Sequence, residues 1–162
     1  MFSIGDKVVY PHHGAAVIED LCEREILGRR RQYFVLRLAH GDLTLMVPVD
    51  NTIEVGLRGV VSKREVKKVF DVLREEESKQ PTNWSRRWKT NVEKVSSGDI
   101  YQVAEVVRNL SIREKDKGLS AGEKRMLAKA RQILLSELTF AVDSTEEKAE
   151  AMLDKVLLEA RV

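Results

Sequence analysis

Several kinds of residue are scarce in this 162-residue sequence, and each scarcity excludes a class of protein. Cys22 is the one cysteine, so no disulfide can form within the chain, as in proteins of a reducing compartment. Three prolines and nine glycines leave no long low-complexity stretch. No apolar run approaches the roughly 20 residues that span a bilayer, and the first residues lack the pattern of a signal peptide. We therefore expect a cytoplasmic protein that does not associate with membranes.

Histidine is also scarce, and its placement gives no sign of catalysis. His12 and His13 are adjacent within a Pro-His-His-Gly turn and His40 is distant, so no zinc-type spacing arises. We interpret the adjacent pair as loop residues. There is no glycine-rich phosphate loop, and the carboxylates lie at helix starts and on solvated helix faces rather than as a paired acid and base. The sequence predicts no enzyme, no metal site and no cofactor.

The first 60 residues carry short strand patterns separated by turn signals. Apolar, partly alternating segments lie near residues 4–10, 15–22, 33–38, 43–47 and 52–55. Cys22 ends the second segment, where we expect a small core residue rather than a reactive thiol. Short strands with a turn about every ten residues predict a small antiparallel β-barrel over residues 1–60. The edges of such a sheet can accept a partner strand.

After Gly59 the apolar period changes to about 3.6 residues, which predicts helices. Three Ser-x-x-Glu capping boxes mark helix starts, with Gly98 and Gly118 as stop signals. The boxes are Ser62 with Glu65, Ser120 with Glu123, and Ser144 with Glu147. Helices are expected near 63–76, 83–96, 99–116, 121–141 and 145–160. The prediction is an α+β protein, in which a barrel precedes a compact bundle of about five helices over residues 61–162.

Two tryptophans accompany basic residues at the start of the second predicted helix. Trp84 and Trp88 are four residues apart and in line with Val92 and Val95, so burial of both rings is the ordinary interpretation. Trp84 nevertheless follows a proline-containing linker, and residues 82–96 hold four basic residues against one acidic residue. An aromatic ring among cations at a helix start is also typical of a DNA-contacting wedge. The residues alone leave both interpretations open.

A second basic stretch covers residues 108–131, with eight basic residues against three acidic ones. Four of the bases fall largely outside the apolar stripe of the fourth predicted helix: Lys124, Arg125, Lys129 and Arg131. Such charges usually only solvate a surface. If they share a face with Arg86 and Lys89, however, they could bind several phosphates.

Three motifs, read together, resemble the CarD/CdnL family of bacterial transcription regulators. They are VVYPHHG at residues 8–14, PTNWSRR at 81–87 and LSAGEKRML at 119–127. Their order and spacing agree along nearly the whole chain, and the detail is most similar to actinobacterial members. The first motif also resembles the polymerase-interacting domain of transcription-repair coupling factors.

The resemblance implies a Tudor-like (SH3-like) N-terminal barrel that binds the RNA polymerase β subunit through Arg24, Ile26 and position 46. Some relatives have arginine at position 46, so Met46 predicts an apolar contact in place of a salt bridge. It also implies a helical domain that stabilises the promoter open complex at the upstream edge of the bubble. Trp84 would be a minor-groove wedge. The implied contacts to the DNA backbone are Arg86, Lys89 and Lys124, and we add Arg87 to the predicted DNA-binding residues because it lies beside them. We expect a monomer without catalytic activity, associated with the nucleoid through polymerase.

Three other interpretations stay open. The chain could be a protein–protein adaptor on polymerase without DNA contact, or an RNA-binding ribosome-associated factor. An enzyme would require a site that the sequence does not reveal.

Overall fold

The computed structural model describes residues 2–41 and 43–159, and it shows an antiparallel sheet followed by helices. The α+β prediction is therefore confirmed. The strands are β1 (Lys7–Tyr10), β2 (Gly14–Ile26), β3 (Arg29–Leu38), β4 (Thr44–Pro48) and β5 (Arg58–Gly59). The helices are α1 (Lys63–Arg74), α2 (Trp84–Val95), α3 (Ile100–Asp116), α4 (Ala121–Ala141) and α5 (Glu146–Glu159).

The β2–β3 hairpin is longer than the sequence pattern predicts. The ladder continues through the charged segment, from Asp20 opposite Val35 to Ile26 opposite Arg29. The strands expected at 15–22 and 33–38 are therefore too short. The pattern stops at Cys22 because the following residues are charged on both faces, yet the backbone groups pair as well there as in the apolar part. Cys22 itself is half-buried opposite Tyr33 rather than part of the core.

The sheet is open, so it is a barrel only in a loose sense. The strand order is β4-β3-β2-β1-β5, and in the part of the chain that the structure describes the two outer strands do not pair. The prediction of a strand at residues 52–55 is wrong. A short 3-10 helix (Val49–Asn51) ends just before this segment, and the segment itself forms a turn that the Leu57 amide closes by donating to the Thr52 carbonyl at 2.9 Å. This turn exposes Ile53 and delays the last strand until Arg58.

Two of the three capping boxes form as predicted. In each, the serine hydroxyl accepts from the glutamate amide at 3.2 Å, for Ser62 with Glu65 and for Ser120 with Glu123. The prediction of the third box is wrong, because Ser144 takes part in the ending of α4 instead of the start of α5. Its amide donates to the Thr139 carbonyl at 3.2 Å, in a Schellman-type ending. The cap of α5 is therefore one residue later, where the Thr145 hydroxyl accepts from the Lys148 amide at 3.2 Å.

Both glycine stop signals are confirmed by left-handed backbone, with φ of 79° at Gly98 and 78° at Gly118. The helices enclose an apolar core supplied mainly by α1, α3 and α4, while a separate core lies on one face of the sheet. Within the described ranges, no helix combines the length and the hydropathy needed to cross a membrane.

The sheet and the helices are joined by a polar junction, which consists of Gly14, Ala15, Arg58, Ser136 and Glu137. Arg58 pairs with Glu137 through two bonds of 2.6 and 2.7 Å, and the Ala15 amide donates to the Ser136 hydroxyl at 2.9 Å. Gly14 lies against the same serine, where a Cβ would be 2.7 Å from the Ser136 oxygen. The junction therefore joins the sheet to α4 through buried and half-buried polar contacts.

Candidate nucleic-acid and partner interfaces

The start of α2 exposes one tryptophan and packs the other. Asn83 caps the helix, since its side-chain oxygen accepts from the Arg86 amide at 3.2 Å. Trp84 is the first helical residue and keeps 45% of its surface exposed, whereas Trp88 packs against the helical core. The two rings are stacked, with centroids 5.3 Å apart and planes 13° from parallel. One ring thus supports the other and fixes its orientation.

The start of α4 lies beside this pair of rings. A Cβ on Gly122 would come within 3.2 Å of the Trp88 ring, so the absence of a side chain there admits the indole. The start of α4 therefore contacts α2 at the Trp88 ring. The amides of these first turns have no intrahelical acceptors and carry partial positive charge, apart from those that the caps satisfy.

Arg87, predicted as a DNA contact, is buried instead. It is 5% exposed, and its Nε lies 3.3 Å from Oε2 of Glu123. Its Nη1 also lies 3.4 Å from the carbonyl oxygen of Thr82. Successive helical residues point about 100° apart, so when Arg86 faces solvent its neighbour can face α4. The structure therefore does not place Arg87 among the exposed bases.

Glu123 combines a cap with a buried ion pair, a second role that the capping motif does not reveal. It lies 3.3 Å from Arg87 and 3.7 Å from Arg113, and it is 4% exposed. Burial favours a higher pKa for the Glu123 carboxyl, but hydrogen bonds from the Ser120 amide, Arg87 and the Ser120 hydroxyl outweigh burial and lower the pKa. The carboxylate thus ties α4 to α2 and α3.

Exposed cations lie on the first two turns of α2, which carries Trp84, and of α4, whose start lies against Trp88. We call this set the basic cluster: Arg86, Lys89, Lys124 and Arg125. Within residues 2–41 and 43–159, none of the four forms an ion pair. Arg131, from the same basic stretch, is instead paired with Asp154 at 2.9 Å. The basic cluster therefore has uncompensated positive charge available for an anionic partner.

The three residues predicted to face polymerase lie on one face of the sheet. Met46 is opposite Val35, and Val35 is opposite Asp20, so these residues form one row across the strands. Arg24 and Ile26 follow Asp20 at even spacing and point to the same side. Ile26 is 49% and Met46 43% exposed, and Arg24 is exposed as well. We call Arg24, Ile26 and Met46 the outer sheet face.

Comparison with known proteins assigns both halves of the chain. Residues 2–61 match the family model "CarD-like/TRCF RID domain", and residues 68–154 match "CarD, C-terminal domain". The chain belongs to the CarD family. A relative in Bacillus subtilis (strain 168) is YdeB, by its name a candidate transcription factor, which is 38% identical over 148 residues. That alignment covers 91% of this chain and 97% of YdeB.

A solved structure similar to the N-terminal part is the solution structure of the 72-residue N-terminal domain of Myxococcus xanthus CarD. It is 25% identical, with a TM-score of 0.32, and the match covers 36% of this chain and 79% of that domain.

The two surfaces of this CarD family protein fall in different matched regions. The outer sheet face lies within residues 2–61, whereas Trp84 and the basic cluster lie within 68–154. CarD family members are transcription factors, which is consistent with the prediction that the chain is not an enzyme.

The histidines of this CarD family protein lie in loops, as the sequence indicates. His12 has a left-handed φ of 72°, and its Nδ1 is 3.3 Å from the hydroxyl of Ser96, which follows α2. Burial is the largest cause that lowers the pKa of His13, and the nearby His12 and Lys129 lower it further. In the described part of the chain, no three His, Cys, Asp or Glu side chains are grouped as metal ligands.

Proposed function

We propose that this CarD family protein binds the RNA polymerase β subunit through its outer sheet face and stabilises the promoter open complex by contacting DNA at the upstream edge of the bubble. The observation that supports DNA contact is the exposed Trp84 ring, which stacks on Trp88 at a helix start that also carries the exposed cations Arg86 and Lys89, neither of which forms an ion pair in the described part of the chain. Such a ring can enter the minor groove where stacking is interrupted, while the cations contact phosphates.

The proposed DNA contact carries little sequence information. One indole and a few phosphate contacts do not distinguish base pairs, so binding to free DNA is weak and falls steeply with salt. The polymerase tether compensates by raising the local concentration of DNA at the ring. The protein then shifts the promoter toward the open state only by the difference between its affinities for the open and closed states. The DNA-contacting set is Trp84, Arg86, Lys89 and Lys124, without Arg87.

Trp84→Ala is expected to shorten the lifetime of the open complex about tenfold, because aromatic contact with an unstacked base contributes about 1–3 kcal/mol. Affinity for polymerase is expected to stay unchanged. The lifetime is measured by promoter fluorescence after addition of a competitor, and the affinity by titration with purified polymerase.

Met152→Ala is the matched control, since Met152 is an exposed apolar residue on α5, a helix that carries none of the basic cluster. It should leave the lifetime within about twofold of the original, the ordinary range for a surface substitution. An open complex that dissociates equally fast with the original protein and with Trp84→Ala would favour the adaptor without DNA contact.

Arg24→Glu is expected to weaken polymerase binding about tenfold or more, because reversing one interface charge replaces attraction by repulsion. The sheet should stay folded, since Arg24 is exposed on the outer sheet face. Binding is measured by titration with polymerase, and folding by circular dichroism. Arg64→Glu, the same charge change on α1, is the control. Equal affinities for the two charge-reversed variants would exclude the outer sheet face as the polymerase contact.

A further inference from the structure

The tip of the β2–β3 hairpin extends beyond the rest of the sheet. β1 pairs with β2 only over residues 14–17, and β4 pairs with β3 only over residues 33–37. Residues 23–26 and 29–32 therefore form a two-stranded ribbon, beside which no third strand lies among the residues that the structure describes. The tip of such a ribbon is accessible to a binding partner.

The tip is a two-residue turn with an unusual first residue. Leu27 has a φ of 53° and Gly28 a φ of 79°, so both central positions are left-handed. Two-residue hairpin turns with two positive φ angles favour Asn-Gly or Asp-Gly. A bulky leucine rarely adopts this conformation, because its Cβ crowds the backbone.

Packing does not account for the leucine either. Leu27 is 99% exposed, the highest value among the exposed large apolar residues of the described chain. A Cβ added at Gly28 would meet no atom within 4 Å, so nothing else packs at the tip. A side chain that is both strained and fully solvated gives the free protein no stabilisation from burial.

Leu27 adjoins the outer sheet face. Ile26 directly precedes it and is 49% exposed, and Arg29, the cross-strand partner of Ile26, directly follows the turn. Neither Arg24 nor Arg29 forms an ion pair within the residues that the structure describes. Two exposed apolar side chains and two guanidinium groups thus lie together near one tip.

We propose that Leu27 is an apolar anchor that enters a pocket on the RNA polymerase β subunit, next to the contacts of Arg24 and Ile26. The pocket would be apolar, sized for one leucine, and rimmed by carboxylates that pair with Arg24 and Arg29. This inference rests on the proposed function, because it takes polymerase as the partner of the outer sheet face. In many protein interfaces a few buried side chains contribute most of the binding energy, whereas the contacts around them contribute little. A buried leucine can be such a side chain.

Leu27→Asn separates the two roles because its effects on folding and on binding have opposite signs. Asparagine tolerates the left-handed conformation, so the melting temperature is expected to rise by about 2–4 °C. The dissociation constant for purified RNA polymerase is expected to increase about tenfold or more, the usual loss when a buried leucine is removed. Leu27→Met keeps an apolar side chain and should bind within about threefold of the original.

The control is Leu158→Asn, which removes an exposed leucine from α5 and should leave polymerase affinity unchanged. Unchanged affinity of Leu27→Asn, or a lower melting temperature, would overturn the anchor while leaving the proposed function intact. Failure of the original protein to bind purified polymerase would overturn both.

Discussion

Glu137→Ala is expected to lower the free energy of unfolding by about 3–5 kcal/mol, the usual cost of removing one partner from a buried ion pair. Glu137 is 2% exposed, and its carboxylate accepts both bonds from Arg58 and a third from the Val61 amide at 2.9 Å. Alanine would leave the Arg58 guanidinium with only the carbonyls of Gly98 and Gly59. Urea unfolding followed by circular dichroism measures the loss.

Glu114→Ala is the control for this measurement, because Glu114 is exposed on α3 and forms no ion pair in the described part of the chain. Its effect should stay within about 0.5 kcal/mol. A similarly small effect of Glu137→Ala would show that the junction contributes little to stability. Because the junction joins the sheet to α4, we also expect a larger loss in open-complex lifetime than in polymerase affinity.

Glu123→Ala is expected to cost about 3–5 kcal/mol at neutral pH, because it leaves the buried Arg87 without its counter-charge and removes a cap from α4. The effect should depend on pH. The folded-state pKa of Glu123 is lowered from its ordinary 4.5, so its contribution is complete above that value and is lost as the pH falls through the folded-state pKa. The difference in unfolding free energy between the original protein and Glu123→Ala should therefore be smaller at pH 3 than at pH 7. Urea unfolding of both proteins at the two pH values measures it.

Glu65→Ala offers a matched control, since Glu65 has the same capping-box position at the start of α1 but pairs with no buried arginine. It should cost only about 1 kcal/mol, the typical value of a helix cap. If the original and Glu123→Ala proteins instead differed in stability by the same amount at pH 7 and at pH 3, that result would contradict an ionised Glu123 paired with Arg87.

The helices are predictable from the sequence because their determinants are local. Ser62 and Ser120 with their glutamates mark two helix starts, and Gly98 and Gly118 mark two ends. The error at α5 arises where two local signals compete, since Ser144 serves the end of α4 before it can serve the next start.

The hairpin and the burial of Arg87 are not predictable because they depend on distant partners. The outer half of β2 has charged residues on both faces, so no apolar alternation reveals it. The position of Arg87 is decided by Glu123, which is 36 residues away. The helical stripe does not decide whether Trp84 is exposed, because that depends on how Trp88 packs against Gly122.

Under the proposed function, the junction influences where the protein would contact promoter DNA. Arg58 and Glu137 tie the sheet, which carries the outer sheet face, to α4, and Arg87 and Glu123 tie α4 to α2, which carries Trp84. Under the proposed function, a protein that binds polymerase through the outer sheet face would therefore bring Trp84 to each promoter at a similar distance from the start site. Promoters should then differ in their response according to how readily the base step at that register unstacks, even though the protein reads no base there.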